Sequence, residues 1–247
     1  MNHFMPESKR SAAAFTLVEL LTVIAIIAVL TSLLLAVIPA LTKAAKIRKA
    51  GIQMNDLATG IQGYESAYGH FPVSRAAQAA ANPDFTYGGV FQNHSGSVTI
   101  GTLVTNSIVL NAEIVAVLMN FTNYPGTAVP TPDANFQANP QRTPFLNANL
   151  SGDTVSPGVG TDLVYRDPWG HPYVISLDLN DDDLCEDALY RLPAVSTGGI
   201  NGLILQADGN YAFHGRIMVW SAGPDGMVDT TLPADQGVNN DNILTWH

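Results

Sequence analysis

The chain has 247 residues, enough for one domain of ordinary size beside any terminal segments. It carries 21 acidic against 11 basic residues, and most of the basic ones precede residue 50. The remainder is therefore acidic and should repel nucleic acid, which argues against a DNA-binding role for the isolated chain. The single cysteine, Cys185, excludes an intrachain disulfide, so packing or a bound ion must hold the domain together.

Residues 15–42 read FTLVELLTVIAIIAVLTSLLLAVIPALT and are uncharged from Leu20 to Thr42. At about 1.5 Å per residue such a helix crosses a hydrocarbon core of roughly 30 Å. Glu19 interrupts its start. A carboxylate in lipid costs about 2.5–3.5 kcal/mol on insertion scales, so it requires a partner or a proton. An ordinary secretory signal does not fit, because the span is too long for a removable apolar region and no A-x-A site follows it. A signal anchor whose Glu19 rests at the headgroup level stays open on these residues alone.

The run Phe15-Thr16-Leu17-Val18-Glu19, behind a leader containing Lys9 and Arg10, resembles the processing signal of type IV pilins and type II secretion pseudopilins. The resemblance implies that a prepilin peptidase cuts between Ala14 and Phe15 and methylates the new amine of Phe15. It further implies that Glu19 meets the freed amine of a neighbouring subunit and so sets filament register, a paired charge being tolerable where a lone one is not. There are two departures from the family pattern. Ala14 stands where Gly is usual, which is expected to slow the cut, and Pro39 falls a few residues beyond the usual helix-bending proline. Lys43, Lys46, Arg48 and Lys49 follow the span, so a positive-inside count would put the domain in the cytoplasm. The leader resemblance implies export instead, and we follow it.

Beyond the span, Ile47, Ala50, Met54, Leu57, Ile61, Tyr64 and Tyr68 recur at steps of three and four. That spacing predicts one apolar seam on a helix, with Arg48, Gln53, Asp56, Thr59 and Gln62 turned elsewhere. The helix is expected to run unbroken from Thr16 to about Tyr68, roughly 80 Å. Gly69 and Pro72 supply the stop. The tract YESAYGHFP also resembles the end of the long helix in the major pseudopilin.

Residues 73–160 read as a variable loop and helix region, with one apolar helix at about Asn111 to Phe121. Phe85, Tyr87, Phe91 and Tyr124 are expected in satellite packing. From Asp162 the runs LVYR, PYVISLD, GLILQ and RIMVWSA, bounded by Gly, Pro, Asn and Asp, predict short antiparallel strands. The turn Asp167-Pro168-Trp169-Gly170-His171-Pro172-Tyr173 resembles the DPWG-x-PY segment of the major pseudopilin and reads as structural, with Trp169 capping the core.

Two stretches could hold a cation. In SLDLNDDDLCED, Asp178, Asn180 and Asp182 have the opening spacing of an EF-hand, but Asp183 occupies the glycine position and Leu189 that of the closing Glu. It reads as a solvated acidic hairpin. The second stretch joins Trp220-Ser221-Ala222-Gly223-Pro224-Asp225-Gly226 to Asn239-Asn240-Asp241-Asn242 and is similar to the calcium-binding C-terminal loop of the major pseudopilin. The resemblance implies calcium held by Asp225, Asp241, Asn239, Asn242 and Ala222, with Asp229 and Asp235 able to compensate for acids that are Asn here. Such an ion would fasten the loop and Trp246 to the domain.

No P-loop, H-E-x-x-H or G-x-S-x-G motif occurs, and His70, His94, His171 and His214 are scattered over turns. The expectation is a non-enzymatic chain of α+β class, with a pilin-like fold in which a long N-terminal helix, membrane-spanning in its first half, packs on a small antiparallel sheet. The divisions expected are a leader at 1–14, the span at 15–42, an amphipathic continuation at 43–72, the variable region at 73–160 and the sheet with its C-terminal loop at 161–247. The resemblance implies a homo-oligomeric helical filament, assembled from the inner membrane with other pseudopilins and a secretion platform, and carrying a periplasmic domain. The alternatives are a type IV pilin for adhesion or DNA uptake, or a membrane-anchored binding domain that never polymerises.

Overall fold

The structure, a computed structural model, describes residues 15–246; the expected leader 1–14, with Lys9, Arg10 and Ala14, lies outside the described residues. In chain order the elements are helix α1 (Leu17–Tyr68), α2 (Arg75–Ala80), strands β1 (Phe85–Tyr87), β2 (Gly89–Asn93), β3 (Gly96–Ile100), β4 (Leu103–Val104) and β5 (Ser107–Ile108), and helix α3 (Ala112–Leu118). They continue with β6 (Gly158–Val159), β7 (Tyr165–Arg166), β8 (Val174–Leu177), β9 (Leu184–Cys185), helix α4 (Pro193–Ser196), β10 (Ile204–Leu205), β11 (Tyr211–His214), β12 (Ile217–Ser221) and β13 (Ile243–Leu244). The chain divides after Ala44 into two units.

The first unit is apolar helix. It belongs to the one helix among the described residues that is long and apolar enough to cross a membrane. Its described large apolar side chains between Leu17 and Leu41, Val23, Ile27, Leu30 and Val37 among them, are exposed in the single chain. Three hydroxyls within it turn inward on their own backbone: Thr22 donates to the Glu19 carbonyl at 2.9 Å, Ser32 to Val29 at 2.7 Å and Thr42 to Ile38 at 2.9 Å. Hydroxyls bonded in this way add no unsatisfied donor to the apolar surface, as a lipid environment requires.

In the second unit α1 continues as an amphipathic helix. Ala50, Met54, Leu57, Ile61 and Tyr64 are fully buried, while Ile47 at one end of the seam is 36% exposed. Each buried Leu, Ile or Met contributes about 1.5–3 kcal/mol. Gly69 ends the helix as expected: its φ of +75° is one that only glycine adopts freely, and its N–H donates to the Glu65 carbonyl at 2.7 Å.

The main sheet is antiparallel, in the order β1-β8-β12-β13, with Phe85 opposite Leu177 and Val219 opposite Ile175. Side chains alternate across it with period two. Ile175, Leu177, Ile217 and Val219 join Met54, Leu57, Ile61 and Tyr64 of α1 and Ile114–Leu118 of α3 in one core. Val174, Met218 and Trp220 face the other way, into a second core with Phe91, Cys185, Leu189 and Tyr190. Both faces are buried, which is why VISL and IMVWS do not alternate apolar with exposed polar residues, Ser176 and Ser221 being buried too.

Three expectations need correcting here. Phe85 and Tyr87 are not satellite residues: they form edge strand β1 and are fully buried in the helix-side core. Residues 73–160 also hold the β2–β3 hairpin, whose Phe91 stacks on Trp220 with ring centroids 5.9 Å apart. Trp169 does not cap the core. It is partly exposed and lies under the Lys46 ammonium, 5.8 Å from its ring centre, whereas Trp220 is the fully buried tryptophan. GLILQ contributes only β10, which pairs with β11 in a separate three-stranded sheet.

Asp84, nearly buried beside β1, accepts from Leu179 N–H at 3.0 Å and Glu186 N–H at 2.7 Å. Burial nonetheless outweighs these bonds and pushes its pKa up to about 6. The folded state therefore holds this proton more tightly than the unfolded chain does. The resulting stability is fully present below the ordinary value of 3.8 and is lost as pH rises through about 6. The carboxyl carbon resonance of Asp84 should accordingly titrate near 6 by NMR; a midpoint near 4 would contradict this reading.

Candidate functional site

Two places were singled out in the sequence, the start of α1 and the C-terminal loop. At the first, the Thr16 N–H and hydroxyl both donate to Glu19 Oε2, at 2.9 and 2.8 Å, and the Glu19 N–H donates to Thr16 Oγ1 at 3.2 Å. This is a reciprocal capping box, which satisfies helix-start donors that have no intrahelical acceptor. The sequence carried its T-x-x-E signature, although the charge of Glu19 alone drew attention there. Phe15, the residue before the box, is 78% exposed. Glu19 thus has a role within its own chain, and a neighbour's amine would have to engage a carboxylate already accepting two hydrogen bonds.

At the second place, the DPWG turn and the C-terminal loop, read separately in the sequence, form one assembly. Asp167 is fully buried, and its Oδ1 accepts from the Trp169 and His171 N–H groups, each at 2.9 Å. Its Oδ2 accepts from the Ser221 hydroxyl at 2.6 Å, and Ser221 Oγ in turn accepts from Gly223 N–H at 3.1 Å. The Asp167 carboxylate holds the His171 imidazole above its ordinary pKa, with burial opposing it and Asp225 adding to the pull. A Cβ at Gly226 would stand 2.1 Å from His171 Nε2, so the histidine lies directly against the loop. Gly223, at φ +68°, approaches Asp241 so closely that a Cβ would stand 2.2 Å from the Asp241 carbonyl oxygen and 3.1 Å from Oδ1.

The residues expected to bind calcium are only partly brought together. Asp241 meets the glycine turn, and the fully buried Ala222 lies beside it in sequence. Asn242 Nδ2 donates to Tyr190 OH at 3.0 Å, and its Oδ1 is buried without a hydrogen-bond partner. Asn239 instead braces the intervening loop: its Oδ1 accepts from Asp229 N–H at 2.9 Å, while Nδ2 donates to the Asp229 and Leu232 carbonyls at 2.7 and 2.9 Å. Asp225 Oδ1 accepts from Met227 N–H within its own turn, at 2.8 Å. Among the described residues no group of three or more His, Cys, Asp and Glu is placed to hold a metal. Trp246 packs edge-on against Tyr190, with ring centroids 5.2 Å apart.

The acidic tract is less solvated than expected. Asp178 is fully buried and accepts from the N–H groups of Asp181 and Asp183 at 2.8 and 3.0 Å. Arg216 pairs with Asp181 and with Glu65 of α1, lies 3.5 Å from Asp178, and stacks its guanidinium over Phe71. One arginine thus draws the loop and the helix together. Cys185 is buried, and its thiol pKa is raised by desolvation, which leaves it unreactive.

The prokaryotic N-terminal methylation motif matches residues 9–35. No curated protein and no solved structure matches the chain. A methylation motif running into a long N-terminal helix, with an α+β domain behind it, is the plan of the pilin and pseudopilin superfamily. The fold is therefore pilin-like, and among the described residues one helix is long and apolar enough to span a membrane.

Proposed function

We propose that the chain is a structural subunit of a periplasmic pseudopilus in a type II secretion system, held in the inner membrane by its first helix until it polymerises. The observation that carries this reading is an acid at the head of an apolar helical segment whose described side chains are uncovered, inside a methylation motif. An exposed apolar surface of that extent needs lipid or other helices around it. Each subunit, once cut after Ala14, brings an amine at Phe15 and a carboxylate at Glu19 into the bundle. The interlocked DPWG turn and C-terminal loop favour a secretion pseudopilus over an adhesion or DNA-uptake pilus. No catalytic step is required, since assembly itself is the activity. Mass spectrometry of the membrane-extracted chain should find methylated Phe15 as the first residue; an intact leader in a host with active prepilin peptidase would overturn the processing step.

Calcium remains part of the proposal as a structural ion. The buried Asn242 Oδ1 without a hydrogen-bond partner and the Asp241 carboxylate against Gly223 are oxygen donors of the kind the ion takes, with the Ala222 carbonyl as a further candidate. Asn239 is already engaged in bracing and is a poorer candidate than its position suggested. Calcium should raise the melting temperature of the domain by several degrees, EGTA should reverse the shift, and Asp241→Ala should abolish it. A melting curve indifferent to both reagents would remove the ion.

A further inference from the structure

The densest positive charge in this acidic chain falls where the apolar stretch ends, with Lys43, Lys46, Arg48 and Lys49 all within seven residues of Thr42. Among the described residues none of the four forms an ion pair; the pairs present use Arg166, His171, Arg191 and Arg216. Arg48 and Lys49 line an open groove of about 490 Å³ in the second unit, with Ile52 beside them and Asn147, Asn149 and Tyr165 across it. Ile52, one turn beyond Arg48, is 62% exposed. The one acid in the groove, Asp56, stands two turns from Arg48, about 12 Å along the helix axis.

These groups match one ligand chemistry. A guanidinium presents a planar fork to phosphate oxygens, an ammonium adds a point charge, and two amides supply uncharged donors. The exposed isoleucine suits the glycerol and first methylenes of a lipid, and the groove's residues begin just after the span ends in sequence. The charge count points the same way. Cations on the far side of an exported domain's span work against its topology, so they call for another reason to be there. We propose that this groove binds the phosphodiester headgroup of an anionic glycerophospholipid in the leaflet where the span ends. The inference rests on the chain being membrane-anchored and does not require that it polymerise.

The test is native mass spectrometry of the full chain released from nanodiscs containing both phosphatidylglycerol and phosphatidylcholine. The wild type should retain phosphatidylglycerol in preference to phosphatidylcholine by about tenfold, two cations at an anionic lipid accounting for a factor of that order. The double variant Arg48→Gln/Lys49→Gln should lose the preference, and Arg75→Gln, remote in sequence from the groove, should keep it. Equal retention of the two lipids by the wild type would overturn the proposal. So would displacement of the lipid by millimolar glycerol phosphate, which marks a site for free phosphate. If the double variant loses filaments yet keeps its lipid preference, the cations serve a second copy of the chain and the proposal fails. Glu19→Gln should keep the preference whatever becomes of its filaments, so this inference and the filament reading fail separately.

Discussion

Glu19→Gln should leave the start of the helix intact and abolish filaments. Glutamine can replace glutamate in a capping box, so the bonds from Thr16 to the side-chain oxygen survive while the charge is lost. If the carboxylate meets a neighbour's amine in an apolar bundle, removing it leaves a buried unpaired cation. That costs about 3–5 kcal/mol per contact, more than a hundredfold in association. Sheared-filament yield and cysteine cross-linking between subunits measure the effect. Glu19→Ala removes both cap and charge and serves as the comparison. Filaments retained in the Gln variant but lost in the Ala variant would make Glu19 a helix cap and nothing more. Full activity of both without any polymer would favour a membrane-anchored domain that acts alone.

The second large effect is expected at Asp187, the last residue of the acidic tract that read in the sequence as a solvated hairpin. Its Oδ2 accepts from the Ser176 hydroxyl at 2.6 Å and Trp220 Nε1 at 3.0 Å, and its Oδ1 from the N–H groups of Leu189 and Tyr190 at 2.9 Å. Ser176 also bonds Thr86 on β1, and Thr86 Oγ1 accepts from Ala188 N–H. The carboxylate therefore joins β1, β8 and β12 to the loop after β9 with no exposed surface of its own. Asp187→Ala leaves four donors without an acceptor in a dry core, at about 1–3 kcal/mol for each one left unsatisfied. Urea denaturation of the detergent-solubilised chain, followed by tryptophan fluorescence, should show a loss of at least about 3 kcal/mol. Asp187→Asn, which keeps one acceptor oxygen, should lose less. A loss under about 1 kcal/mol for the alanine variant would mean that water or repacking replaces the network.

The sequence made some of this legible and hid the rest for identifiable reasons. The α1 seam was readable because Ala50, Met54, Leu57, Ile61 and Tyr64 sit on one helical face against one core, so local period and burial agree. The DPWG turn was readable because Asp167, Pro168 and Gly170 act over four residues. The Asp187 hub was not, because its partners come from positions 86, 176, 188–190 and 220 and only the folded sheet brings them together. Strand β1 was hidden by its length, since three residues, Phe-Thr-Tyr, show no period until Ser176 and Leu177 stand opposite. Trp169 misled because a tryptophan in a turn suggests a core plug, whereas its ring instead meets the cation of Lys46. The capping role of Glu19 was in plain view as T-x-x-E, but a carboxylate at the head of an apolar run is the more conspicuous anomaly.

Glu65, Arg216 and the buried stripe of α1 also bear on how the molecule takes load. A force applied along the backbone of the amphipathic half of α1 would reach the globular part by shear across Met54, Leu57, Ile61 and Tyr64, with the Arg216 bridge alongside. Contacts sheared together share the tension and yield only as a set, unlike a row peeled one at a time. The helix is thereby fastened to its own domain by contacts that must give way together, so in a subunit of the kind proposed a pull on the helix would carry the domain along without first unravelling it.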